Sequence, residues 1–213
     1  MLTSMIAGAK LWPPPQYNLT MDTGAQWPAI EKAEGGSVTY SYLAAWAGAL
    51  GCRIYMTLAG GAGVDTAYGK IASFVSSSFH YRLKVLFHLT MTEGDNFTFV
   101  RMGNTKTADL KCNRSAGGVY TLQLNQYDLT AIVNPLVMDV WYDIEVWYKS
   151  ETAADAGDGI CLCDVNGVRV LTKRDGGETT ATAYCYVGNV TGGDSGTSGY
   201  IHIAHFQLSN IHW

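Results

Sequence analysis

Residues Trp141-Tyr142-Asp143-Ile144-Glu145-Val146-Trp147-Tyr148-Lys149 alternate without interruption. Tyr142, Ile144, Val146 and Tyr148, with Val140 just ahead, share one parity; Trp141, Asp143, Glu145, Trp147 and Lys149 share the other. Successive strand residues point to opposite faces of a sheet, so this run reads as a strand with a core face and an outer face. Phe79 to Met91 repeats the pattern. Phe79, Tyr81, Leu83, Val85, Phe87, Leu89 and Met91 point inward, and His80, Arg82, Lys84, Leu86, His88 and Thr90 point outward.

Further strands are expected at 53–58, 97–102, 108–112, 119–125, 159–165, 168–172, 183–188 and 200–208. Gly, Asn and Asp punctuate them at Glu93-Gly94-Asp95-Asn96, Ala116-Gly117-Gly118, Asn166-Gly167, Asp175-Gly176-Gly177 and Gly192-Gly193-Asp194. Asn166-Gly167 is the sharpest of these signals, because a type I′ hairpin turn needs positive φ at both central residues. Residues 42–50 carry Tyr42, Leu43, Trp46 and Leu50 at helical spacing and read as a short helix or an irregular strand, and a helical turn is read in 64–78. Many short strands joined by such turns predict an all-β, two-sheet antiparallel jelly-roll sandwich in one domain, residues 36–213. Residues 1–35 read differently. Pro13-Pro14-Pro15 imposes extended backbone, and Trp12, Tyr17 and Trp27 around it predict an N-terminal arm lying on the sandwich or on a neighbour.

Composition narrows the function. Of 213 residues 47% are hydrophobic, enough for a full core, and only 15% are charged, against about 25% in an average soluble domain. A lightly charged surface favours partners or self-assembly. A net charge of −4 argues against nucleic acid, which needs a basic footprint. No run approaches the roughly 18–20 apolar residues of a membrane span, and the first residues lack the basic and apolar regions of a secretory signal. Five cysteines without a Cys-x-x-Cys spacing read as reduced thiols, which fits assembly in a reducing cytoplasm. Asn-x-Ser/Thr sequons at Asn18, Asn96, Asn113 and Asn189 carry little weight in so Ser- and Thr-rich a chain.

The Trp-led strand at 141–149, the Val165-Asn166-Gly167 hairpin, the Tyr186-Val187-Gly188 strand end and the Gly199-led closing strand resemble laminin-G-like, concanavalin A-like sandwiches across roughly 70–210. The resemblance implies a fold that mostly presents a surface and sometimes does chemistry. It puts Asn166 where many relatives carry Asp. No cofactor is expected. Calcium stays open, with Asp158, Asp164 or Asp194 each able to offer an oxygen, but no cluster of six or more is visible.

The outer face Trp141, Asp143, Glu145, Trp147 resembles a sugar-binding surface, since rings stack on pyranose C–H faces and carboxylates accept from hydroxyls. It also resembles in part the Glu-x-Asp-x-Glu catalytic strand of sandwich β-glucanases, with Trp141 in the nucleophile's place. Asp143 and Glu145 would stand roughly 6–7 Å apart, a glycosidase-like separation. Alternatively, the two acids pair across strands with Arg82, Lys84 or His80. His202 and His205 should fall on opposite faces of their strand.

Taken together, the expectation is a non-enzymatic adhesion module, a decoration, fibre or tail component on the surface of a virion or similar particle, assembled in the cytoplasm. Trp12, Pro13, Pro14, Pro15, Tyr17, Trp27 and Trp213 are its candidate assembly contacts. A carbohydrate-binding module is the second reading, and a glucanase-type hydrolase the third.

Overall fold

The computed structural model describes residues 17–19, 29–33, 37–41, 51–56, 66–103, 108–125, 127–128, 136–153, 156–174, 182–191 and 197–210. The described residues form fifteen strands: β1 (Tyr17–Leu19), β2 (Ala29–Ala33), β3 (Ser37–Ser41), β4 (Gly51–Met56), β5 (Thr66–Ser76), β6 (Ser78–Thr90), β7 (Asn96–Met102), β8 (Leu110–Arg114), β9 (Tyr120–Leu124), β10 (Tyr127–Asp128), β11 (Trp141–Lys149), β12 (Ile160–Val165), β13 (Val168–Arg174), β14 (Thr182–Thr191) and β15 (Ser198–Asn210). They make two antiparallel sheets. The first runs β13-β12-β11-β6-β15-β4-β3, with β1 also on β15; the second runs β10-β9-β8-β7-β14-β5-β2.

β6 is the spine of the first sheet. It pairs with β11 on one side, Trp141 opposite Leu86 through Lys149 opposite Ser78, and with β15 on the other. The alternation read in the sequence is present in space, with the β11 burial strictly in–out and Tyr142, Ile144, Val146 and Tyr148 inward. Val140 is an exception at 43% exposed, because it precedes the first ladder residue.

Between the sheets, Phe79, Tyr81, Phe87, Phe97, Phe99, Tyr148 and Phe206 are buried to 2% exposure or less. Phe79 stacks on Tyr148 at 5.1 Å, and Phe87 meets Phe99 edge-on at 5.1 Å. Each such ring contributes about 1.5–3 kcal/mol through apolar burial. Tyr81 is tolerated there because its hydroxyl donates to the Ala108 carbonyl at 3.0 Å.

The Asn166-Gly167 turn has φ of 51° and 79°, the conformation its hairpin requires. It also clamps the next strand. The Asn166 N–H donates to the Asp143 carbonyl at 2.8 Å, and the Asp143 N–H donates to Asn166 Oδ1 at 2.9 Å.

Within the segment 64–78, the described residues 66–78 are not helical; 66–76 form β5. Its inward residues include Ala67, Gly69 and Ile71, and the small ones mute the hydrophobic alternation while the ladders to β14 and β2 impose the strand. Residues 42–50 lie outside the described residues. So do Trp12, Pro13, Pro14, Pro15, Trp27 and Trp213 of the expected assembly surface. Within residues 1–35, Tyr17–Leu19 adds to the first sheet opposite Leu208–Phe206, and Ala29–Ala33 adds to the second opposite Lys70–Thr66.

Candidate functional site

The outer face of the first sheet gathers the polar and aromatic side chains of β11, β6 and β15 into a register-locked lattice. One row places Trp141, Leu86 and His202 side by side; the next Asp143, Lys84 and His205; the next Glu145, Arg82 and Gln207; the next Trp147, His80 and Ser209. Ahead of them, His88 stands opposite Tyr200. Rows along the strands are roughly 6.6–6.8 Å apart and neighbouring strands about 4.8 Å apart, so a sugar ring spans about one row.

The lattice depends on one irregularity. The β15–β6 register shifts between Ile203 and His205, where Ala204 is the extra residue of a bulge. Ile203 still faces Val85 and Phe206 faces Leu83, both core pairs, so His202 and His205 land on the same outer face. The expectation of opposite faces is therefore corrected, because simple alternation cannot foresee an inserted residue.

At the centre, the Asp143 carboxylate accepts from Arg82 Nε at 2.7 Å and from Arg82 Nη2, and from Lys84 Nζ at 2.8 Å. Half-burial alone would raise this carboxyl, but the hydrogen bonds from Arg82 and Lys84, with their charges, outweigh it and hold the group below the usual Asp range. Arg82 is pushed up in turn, chiefly by its bond to Asp143. Two cations share this one carboxylate, and Glu145, directly opposite Arg82, adds its own negative charge to the same set of rows. One row on, His80 Nε2 lies 3.4 Å from Glu145 Oε1, with His80 only 2% exposed. The cross-strand pairing of Asp143 with Arg82 and Lys84, and of Glu145 with His80, is thus the arrangement observed.

Of the four glycan candidates, Trp141, Asp143, Glu145 and Trp147 share one partly exposed face. Trp147 is packed on His80 at 5.0 Å, with the Arg169 guanidinium 5.0 Å over its ring. Arg169 is in turn held by Asp164. Trp141 leans on His202 at 6.4 Å. Beside it stands a column that sequence reading missed. The Tyr200 ring lies between His88 and His202, 4.6 Å from each and within 12° and 15° of parallel, and His88 Nδ1 is 2.7 Å from Asp139 Oδ1. A positive-φ residue permits this approach: Gly199 has φ +115°, and a Cβ there would collide with the His88 carbonyl oxygen.

The thiols lie elsewhere. Cys112, Cys161, Cys163 and Cys185 are free and buried in the core, and burial pushes Cys161 up to about 12 and the other three upward as well. They are inert as nucleophiles at neutral pH. Among the described residues no group of three or more His, Cys, Asp or Glu is placed to hold a metal ion.

No family model matches the chain, and no curated protein does. Solved structures do. The endo-β-1,4-glucuronan lyase of the fungus Trichoderma reesei superposes with a TM-score of 0.64 over 92% of this chain and 96% of its own, at 10% identity. Alginate lyase Aly36B gives 0.63 over 92% and 97%, at 13% identity. The conserved carbohydrate esterase of the Shiga toxin-encoding bacteriophage phi24B gives 0.60 over 92% and 99%, at 7% identity. At these identities the likeness shows the fold, an all-β sandwich found in polysaccharide lyases and esterases. It overturns the step from fold to a non-enzymatic decoration, fibre or tail component. Several structures sharing this architecture along nearly their whole length, the two lyases and the esterase among them, are carbohydrate-active enzymes, and the expectation of no enzymatic activity falls with that step.

Proposed function

We propose that the chain is a carbohydrate-active enzyme, a lyase that cleaves a uronate-containing polysaccharide on the outer face of the first sheet. One observation carries this reading: the Arg82–Lys84–Asp143 centre, two cations fixed on one carboxylate, lies beside His205 on the same row and one row from the His202 end of the His88–Tyr200–His202 column. The lyases named above, which share the fold, act on glucuronan and alginate, and this supports the choice of substrate class.

The chemistry follows from the charges. A uronate carboxylate beside Lys84 and Arg82 has its negative charge offset, which acidifies the C5–H next to it. An imidazole, His205 or His202, takes that proton, the electrons of the C–H bond form the C4=C5 double bond, and the C4–O bond breaks. The leaving oxygen takes a proton from an acid, for which the Tyr200 hydroxyl is our assignment. Trp141 offers a ring for a neighbouring sugar, and Gln207 a donor for hydroxyls. Asp143 serves as the anchor of the two cations. Held ionised by them, it is ill suited to the general-acid role a glucanase would ask of it. We also place the sandwich with concanavalin A-like domains, on the Trp-led strand and the Asn166-Gly167 hairpin.

The test is incubation with alginate, glucuronan and a neutral glucan while following the ultraviolet absorbance of unsaturated sugar ends. Absorbance should grow on at least one uronate polymer and not on the neutral one. Lys84→Met should lower the rate by about 10²-fold, the scale expected when a preorganised charge is lost. Absorbance growth with the variant at the wild-type rate would remove Lys84 from the mechanism.

A further inference from the structure

On the far side of the sandwich, the outer face of the second sheet carries a second ordered patch. Tyr186 stands opposite Lys70 on one side and Arg101 on the other, while Cys185 and Val187 point into the core. Tyr184 and Tyr68 share that outer face. The rings form a continuous row, Tyr184 to Tyr186 at 6.1 Å and near-parallel, Tyr186 to Tyr68 at 5.3 Å and edge-on. Lys70 Nζ sits over both Tyr184 and Tyr186, 5.5 and 5.6 Å from their centroids. All four side chains are partly exposed.

Such a row is an unusual way to finish a solvent-facing sheet. Flat rings with hydroxyl rims match the apolar faces and hydroxyl edges of sugars, and an ammonium fixed over the rings puts a cation where a carboxylate on those sugars would lie. Lys111 alternates outward on β8, since Leu110 and Cys112 on either side of it are buried. Arg101 extends the positive side, though its Nε is 3.1 Å from the fully buried Asp109. Asp109 offsets Arg101, and Lys70, held over the rings, is the cation placed to suit an anionic ligand.

We infer that Tyr68, Lys70, Tyr184 and Tyr186 form a second binding surface for anionic polysaccharide, distinct from the cleavage face and resting on the substrate class proposed for it. Both sheets and the core lie between the two faces, so one short oligosaccharide cannot touch both. A long polymer, or two strands of one, can. Holding it at the patch raises its effective concentration at the cleavage face without any new contact there.

The experiment is native gel electrophoresis through gels cast with alginate or with neutral dextran, run beside kinetics on polymer and on a short oligosaccharide. Alginate should retard the wild-type chain. Tyr184→Ala/Tyr186→Ala should weaken that retardation about tenfold in apparent affinity, with the rate on the short oligosaccharide unchanged. Lys70→Gln, which leaves the rings in place, should weaken it in the same direction. Thermal melts verify that each variant is folded. Unchanged retardation in both variants, equal retardation by dextran, or no retardation of the wild type would overturn the inference. Retardation is read without cleavage, so it stands or falls separately from the lyase reading.

Discussion

Asp143 is the residue on which the proposed cleavage face turns, and two predictions belong at this scale. Asp143→Asn removes the anion between Arg82 and Lys84 and leaves two like charges facing each other. The loss of partly buried, charge-assisted hydrogen bonds should cost about 1–3 kcal/mol, read as a lower urea midpoint with an unchanged slope. The folded carboxyl lies below its unfolded value of about 3.9. Its stabilisation is therefore fully present above that value and fades as pH falls through the depressed folded pKa, so the gap between wild type and variant should narrow below pH about 4. Gly199→Ala tests the close approach of β15 to β6. Positive φ and the collision with the His88 carbonyl should together cost about 1–3 kcal/mol, seen as a lower melting temperature, whereas an unchanged melt would mean that the strand pair can slide apart at no cost. The pairing of the acids with Arg82, Lys84 and His80 was legible in the sequence, because strand parity puts them on one face. The Tyr200 column was not, since stacking across strands depends on which residues become neighbours.

At the scale of elements, the bulge at Ala204 decides which residues the site contains. Deleting Ala204 removes the extra residue and leaves Ile203, Phe206 and Leu208 inward and His205 and Gln207 outward in plain alternation, so cooperative unfolding, monitored by near-ultraviolet circular dichroism, should survive. Inserting one alanine after His205 should instead turn Phe206 and Leu208 outward along the longest strand pairing and abolish cooperative unfolding. A deletion variant that loses the transition, or an insertion variant that unfolds like wild type, would show that the register is not set there. Most strands were legible because large residues mark their buried parity: β6 and β11 with Phe, Tyr, Leu, Ile and Val, the β12–β13 hairpin through Asn166-Gly167. β5 was not, because Ala67 and Gly69 occupy its core positions and reveal nothing about periodicity. Its strand character comes from β14 and β2, which lie far away in the chain.

At the scale of the whole molecule, the two outer faces have different chemistry on a shared core. The first sheet concentrates imidazoles, a tyrosine and a cation centre; the second presents tyrosines under a lysine. Sequence alone yields the sandwich and its polar faces, yet it favoured a passive surface component, because the groups to which we assign catalysis are spread over three strands that meet only through register. No short motif holds it, and the Trp at position 141 in place of a nucleophile pointed away from chemistry. The central claim, elimination on the His205–Lys84–Tyr200 face, is tested most directly by the mass of the fragments released from a uronate polymer. Fragments one water lighter than the corresponding hydrolysis products, absent with Lys84→Met, are the expected result. Fragments of full hydrolytic mass, or an intact polymer after prolonged incubation with each uronate substrate, would contradict it.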